Sequence, residues 1–264
     1  MFLSNLNVEP DELHVIHLGT SMYFLGSVLW MLIFRILRDG SVAARVEAVW
    51  KRISLWYSVF QPADQFTNLS LASFCDASKP FAHFPKPKGK VGEVKGLVEP
   101  LARVWSELSD VSNPDHTLIE IGFRQLISMQ SIISEYGKDL FVPPPDVLVL
   151  QDNVHEFLRV YTELGHSADR QKLYLFNMTH KFHVLLHFAE RAQYLCPRRG
   201  ACLLDEDYVG KMKVVAQACS SGTELHHIPG KIAQKVRWGR LCIRKDNAIY
   251  EISMNINQVL LRIF

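Results

Sequence analysis

The chain has 264 residues, 48% of them hydrophobic and 21% charged, with 14 Gly and 12 Pro. That is apolar material for one large domain or two small ones, and it excludes a wholly disordered chain, a collagen-like chain and a coiled-coil rod. With 29 basic and 27 acidic residues the net charge is +2, so bulk charge selects no partner and only local clusters can.

In chain order, the first element is an uncharged run from Leu13 to Phe34, densest over Met22–Phe34 and followed by Arg35 and Arg38. It is long enough to span a bilayer. His14, His17, Thr20 and Ser21 interrupt it, and Glu9, Asp11 and Glu12 precede it, which is wrong for a signal-peptide start. A buried core helix is the expectation, with a membrane span at 13–34 as the alternative. Asp39-Gly40-Ser41 then ends this helix and caps the next.

Four apolar stripes at helical spacing follow: Val42, Val46, Val49, Ile53, Trp56, Phe60; then Val94, Leu97, Leu101, Val104, Leu108; then Ile119, Phe123, Leu126, Met129, Ile133; then Leu150, Val154, Phe157, Tyr161, Leu164. Residues 76–92 read as a loop, Ser112-Asn113-Pro114-Asp115 as a turn, and Pro143-Pro144-Pro145 as a helix break. Pro197 to Gly200 closes the helix that starts near His180. The expected fold is mainly α, a multi-helix domain of about seven or eight helices over 1–240. Residues 241–264 form a tail of uncertain structure. Five cysteines, at 75, 196, 202, 219 and 242, make no Cys-x-x-Cys pair. Buried free thiols in a reducing compartment, nuclear or cytoplasmic, fit that pattern.

Four constellations can carry chemistry. Asp11 and His14 sit three apart and face one way on a helical turn, which suits capping by Asp11, divalent-metal binding or acid–base work. His180, His183, His187 and Glu190 fall within an arc of about 80° on a helix, opposite Phe182, Leu185 and Ala189. This is a solvated polar face or a ligand face. Val184 stands where a metalloprotease helix needs its general-base Glu, which argues against that activity. Asp205-Glu206-Asp207 opens a helix, where carboxylates complement the dipole or hold Mg²⁺. Lys231, Lys235, Arg237, Arg240, Arg244 and Lys245 surround Trp238 with no acid between them, either a solvated basic helix or a nucleic-acid backbone contact.

Taken in order, DELHVIHLGTSMYFLG (11–26), KGKVGEVKGLVEPLARVW (88–105), HKFHVLLHFAE (180–190) and LLDEDYVGKM (203–212) resemble the later part of a CACTA-like DNA transposase, as in transposon-derived proteins of dinoflagellates. The resemblance implies a ribonuclease-H-like core interrupted by a helical insertion, with three carboxylates and two Mg²⁺ ions that cut and join DNA. It makes Asp11 the second carboxylate and Glu206 the third, with Asp205 or Asp207 able to replace Glu206. His14, His183 and His187 become supporting residues. The first catalytic Asp would lie upstream of Met1, so the expectation is a truncated, transposon-derived fragment that is inactive by itself. A helical module binding nucleic acid or protein without catalysis is the alternative, and no small-molecule substrate is evident.

Overall fold

The computed structural model describes residues 10–200, 214–220, 222 and 224–235. The chain divides into two compact units, Met1–Ala201 and Cys202–Phe264. The described residues are mainly helical, as the stripes predict.

In the first unit the helices are α1 (Leu13–Ile36), α2 (Val42–Phe60), α3 (Val91–Gly96), α4 (Val98–Leu108), α5 (Pro114–Glu135), α6 (Pro144–Arg170) and α7 (His180–Arg191). In the second unit, 214–220 and 228–235 are helical.

The uncharged first run folds into α1, and α1 is the axis of the core. It is long and apolar enough to cross a membrane, with a mean hydropathy of 1.5, yet 83% of that stretch is buried inside the fold. A helix that is apolar all round needs neighbours all round, and α2, α3, α4 and α7 supply them along its length. Phe24 reaches the remaining two helices, meeting Phe123 of α5 at 5.1 Å and Phe157 of α6 at 5.6 Å between ring centres, both edge-to-face. On another side the segment around Pro85 and Lys86 crosses so closely that a Cβ on Gly26 would lie 2.3 Å from the Pro85 carbonyl oxygen. Trp30, fully buried, donates its Nε1–H to the Pro80 carbonyl at 2.8 Å in the same loop.

The winding of α1 is unusual. Leu13–Ser21 is π-helical, Met22–Met31 is α-helical and Leu32–Ile36 is π-helical again. In a π turn the backbone bonds run between residues five apart, and such turns are rare. The Thr20 hydroxyl follows the same spacing, donating to the Val15 carbonyl at 3.3 Å.

The other helices start and stop where their sequences dictate. The Ser41 side chain accepts from Ala44 N at 3.2 Å and caps α2, and Asn113 accepts from Asp115 N at 3.0 Å and caps α5 with Pro114 at its start. The proline run opens α6, because a proline in a first turn leaves no bond unmade. α5 and α6 form an antiparallel hairpin: Asn153 donates to the Ser128 hydroxyl at 2.7 Å, and Ser167 donates to Asp115 at 2.6 Å.

Two details differ from the stripes. The second stripe is one run in sequence but two helices in space. Pro100 has no N–H to offer the Gly96 carbonyl, so the chain breaks at Leu97 and restarts as α4. On α2 the buried line is Val46, Val49, Ile53 and Tyr57, while Trp56 is half-buried and Phe60 exposed.

Candidate functional site

The start of α1 gathers the most polar chemistry of the first unit. Asp11 caps the helix: its carboxylate oxygens accept from Leu13 N and His14 N, each at 3.2 Å. The same carboxylate meets His14 Nδ1 in a very short contact. Asp11 is mostly buried and His14 is 44% exposed. Capping and pairing therefore coexist at this residue, since each carboxylate oxygen accepts more than one partner.

Next to this pair lies a second one that α-helical spacing conceals. Glu12 and His17 are five residues apart, and π winding puts them on one face. His17 Nε2 lies 3.1 Å from Glu12 Oε1, with both side chains buried. Arg198, from the turn Pro197–Gly200, closes on both Glu12 oxygens at 3.0 and 3.2 Å. Burial pushes the Glu12 carboxyl up, but the hydrogen bond and charge of His17 and the charge of Arg198 outweigh it, so its pKa falls below the ordinary 4.5. Lys95 of α3 lies within electrostatic reach. Burial lowers its pKa, Glu12 opposes that shift and Arg198 adds to it. His17 Nδ1 is buried with no hydrogen-bond partner among the described residues.

α7 lies along the same π turns. Lys181 donates its ammonium to the Leu18 carbonyl at 2.8 Å, and burial lowers its pKa. Gly19 makes room for the Lys181 stem, because a Cβ there would lie 3.1 Å from Lys181 Cδ and 2.6 Å from the His14 carbonyl oxygen. Segments that begin near residues 11, 88 and 180 thus meet around the first turns of α1.

On α7 the predicted division of faces holds. Phe182, Leu185, Phe188 and Ala189 are buried, while His180, His183, His187 and Glu190 are exposed. Along that polar face His183 Nε2 and His187 Nε2 lie 3.1 Å apart, and His187 Nδ1 lies 3.1 Å from Glu190 Oε2.

No family model, no curated protein and no solved structure matches this chain.

The other expected site residues divide as follows. Asp205, Glu206, Asp207, Arg237 and Arg240 lie outside the described residues. Lys231 is exposed and Lys235 half-buried in the helical segment 228–235. Sequence reasoning missed Arg198 and Lys95 as partners of Glu12, and it missed the His226 region. There, Glu224, His226 and His227 bring three ligand atoms within 4.8 Å of one another, all on exposed side chains. A cavity of about 460 Å³ opens at the far end of α1. Several polar groups in its wall are engaged in local structure: Asp115 accepts from Ser167, and His116 Nδ1 accepts from Asp110 N at 3.0 Å.

The Asp11 carboxylate suits Mg²⁺, which takes oxygen ligands. Glu12 does not, because Arg198 and His17 occupy it inside the protein.

Proposed function

We propose that the chain is a transposase-related helical protein, inactive by itself, in which Asp11 is the remnant Mg²⁺-binding carboxylate of a DNA-cutting site, with His14 fixing its orientation. The observation that carries this reading is the convergence of three motif-bearing segments, 11–26, 88–105 and 180–190, on the π-wound start of α1. In sequence they are separated by many tens of residues, and packing brings them to the same turns of α1. By the resemblance, the further carboxylate is assigned to Glu206, or Asp205 or Asp207 beside it, and the basic residues Lys231, Lys235, Arg237 and Arg240 are the candidates for contact with a DNA backbone. When bound, two Mg²⁺ ions would activate the attacking oxygen and stabilise the leaving one. DNA as substrate is compatible with the nuclear or cytoplasmic compartment that free cysteines suggest.

The test is strand cleavage of supercoiled plasmid by the full chain with Mg²⁺ or Mn²⁺. The reading expects no nicking by the chain alone, together with Mg²⁺ or Mn²⁺ binding, followed by titration, that Asp11→Asn and Glu206→Gln weaken. Nicking that survives Glu206→Gln overturns the assignment. A second reading is a helical module that binds nucleic acid or protein without catalysis. It is favoured by the capping role of Asp11, whose oxygens hold the helix start. Salt-dependent DNA binding with no Mg²⁺ or Mn²⁺ bound at Asp11 selects it.

A further inference from the structure

We propose that the exposed face of α7 carries a two-histidine site for a borderline divalent transition metal, Zn²⁺ being the reference ion. The site does not depend on the transposase reading. Its ligands are His183 and His187, with Glu190 as the residue that orients His187.

The argument starts from helix geometry. Residues four apart project from the same side of a helix, and α7 is a regular α-helix anchored by Phe182, Leu185, Phe188 and Ala189 in the core. Its backbone therefore holds the two imidazoles in register before any metal arrives. Both rings turn their Nε2 atoms toward each other, 3.1 Å apart, with the ring planes at 83°. Two nitrogens bound to one tetrahedral Zn²⁺ at about 2.0–2.1 Å are separated by about 3.3 Å. The observed spacing lies within a few tenths of an ångström of that value.

The protonation pattern points the same way. His187 has Glu190 on Nδ1 at 3.1 Å, and an ionised carboxylate only accepts. His187 therefore donates from Nδ1 and keeps the lone pair on Nε2. Metal-binding histidines commonly donate their other ring nitrogen to a carboxylate in this way. Without metal, His183 donates from Nε2 into that lone pair. With metal, His183 moves its proton to Nδ1 and both Nε2 lone pairs face the ion. Imidazole ligands select Zn²⁺, Cu²⁺ or Ni²⁺ over Mg²⁺, which prefers oxygen. Water completes the coordination.

The experiment is competition for Zn²⁺ between the full chain and a chromophoric chelator at pH 7.5. It is done in a His226→Gln/His227→Gln background, so that the Glu224 cluster adds no binding. One Zn²⁺ is expected per chain. His183→Gln and His187→Gln each weaken it by about tenfold or more, and Glu190→Gln by about tenfold, as for loss of an orienting carboxylate. All three side chains are exposed, so far-UV circular dichroism stays unchanged. Imidazole ¹⁵N shifts of His183 and His187 move on Zn²⁺ addition, with His155 and His166 as internal controls. Equal affinity in the parent and in both histidine variants, or no binding at about 0.1 mM Zn²⁺, overturns the proposal. Loss of Mg²⁺ binding alone would bear on Asp11 and leave this site standing.

Discussion

Arg198 is the residue on which the buried charge at the start of α1 depends. Glu12 is 2% exposed, and Arg198 bonds both of its oxygens. Removing one partner of a buried ion pair leaves the other charge unsolvated, so Arg198→Ala is expected to cost about 3 kcal/mol in urea unfolding. The pH dependence follows from the lowered Glu12 pKa. Stability from this carboxylate is complete above its ordinary value of 4.5 and is lost as pH falls through the lower folded value. Arg198→Ala therefore flattens the acid limb of a stability-versus-pH curve and leaves the neutral region parallel to wild type. Asp11 offers a separate comparison. Asn caps a helix as well as Asp does, whereas Ala loses about 1 kcal/mol. Asp11→Asn should thus keep the melting temperature close to wild type while, on the proposed metal role, removing Mg²⁺ binding, and Asp11→Ala should lower the melting temperature as well. Asp11 and His14 were readable as a pair because three-residue spacing is a helical habit. Glu12 and His17 were not, because a five-residue spacing faces one way only in π winding, and nothing in the composition of 13–21 announces that winding.

Among the elements, α1 shows what hydropathy can and cannot decide. By length alone an apolar run like this fits a span as well as a core, and it was the polar interruptions at His14, His17, Thr20 and Ser21 that made a core the expectation. The stripes of α5 and α6 were fully legible, since every apolar residue in them is buried. The break between α3 and α4 was legible in principle from Pro100, but the apolar spacing runs through it without a gap. The end of α2 was misread because aromatic residues at 56, 57 and 60 all fit a stripe, and the neighbours of α2 cover only Tyr57 fully. The crossing of the Pro85 segment over Gly26 gives a further prediction. Gly26→Ala places a Cβ 2.3 Å from backbone that a proline holds stiff. A loss of about 1–3 kcal/mol in thermal or urea unfolding is expected, as for overpacking in a close-fitted core.

For the whole molecule, the burial of α1 predicts behaviour in detergent. With 83% of its apolar stretch buried inside the fold, the intact chain should partition into the aqueous phase of a Triton X-114 separation, and a shift to the detergent phase on mild urea treatment would mark release of α1. On the proposed nucleic-acid contact, the basic segment predicts that Lys231→Ala with Lys235→Ala lowers the slope of log affinity for DNA against log salt by about two, one for each phosphate that is no longer neutralised. The charge cluster was visible in sequence, but its geometry beyond 235 lies outside the described residues. Finally, the π turns bear on how the chain tolerates changes in length. Deleting Val15 or Ile16 would bring Glu12 and His17 from five residues apart to four, and ordinary α winding then restores them to the same face. The surplus residue in these turns acts as slack that a deletion can take up. The same deletion within Met22–Met31 has no slack to draw on. It would rotate one half of α1 against the other by about 100° and turn Phe24 away from Phe123 and Phe157. Within α1, single-residue deletions among divergent copies of this protein should therefore collect in Leu13–Ser21 and Leu32–Ile36 and be purged from Met22–Met31.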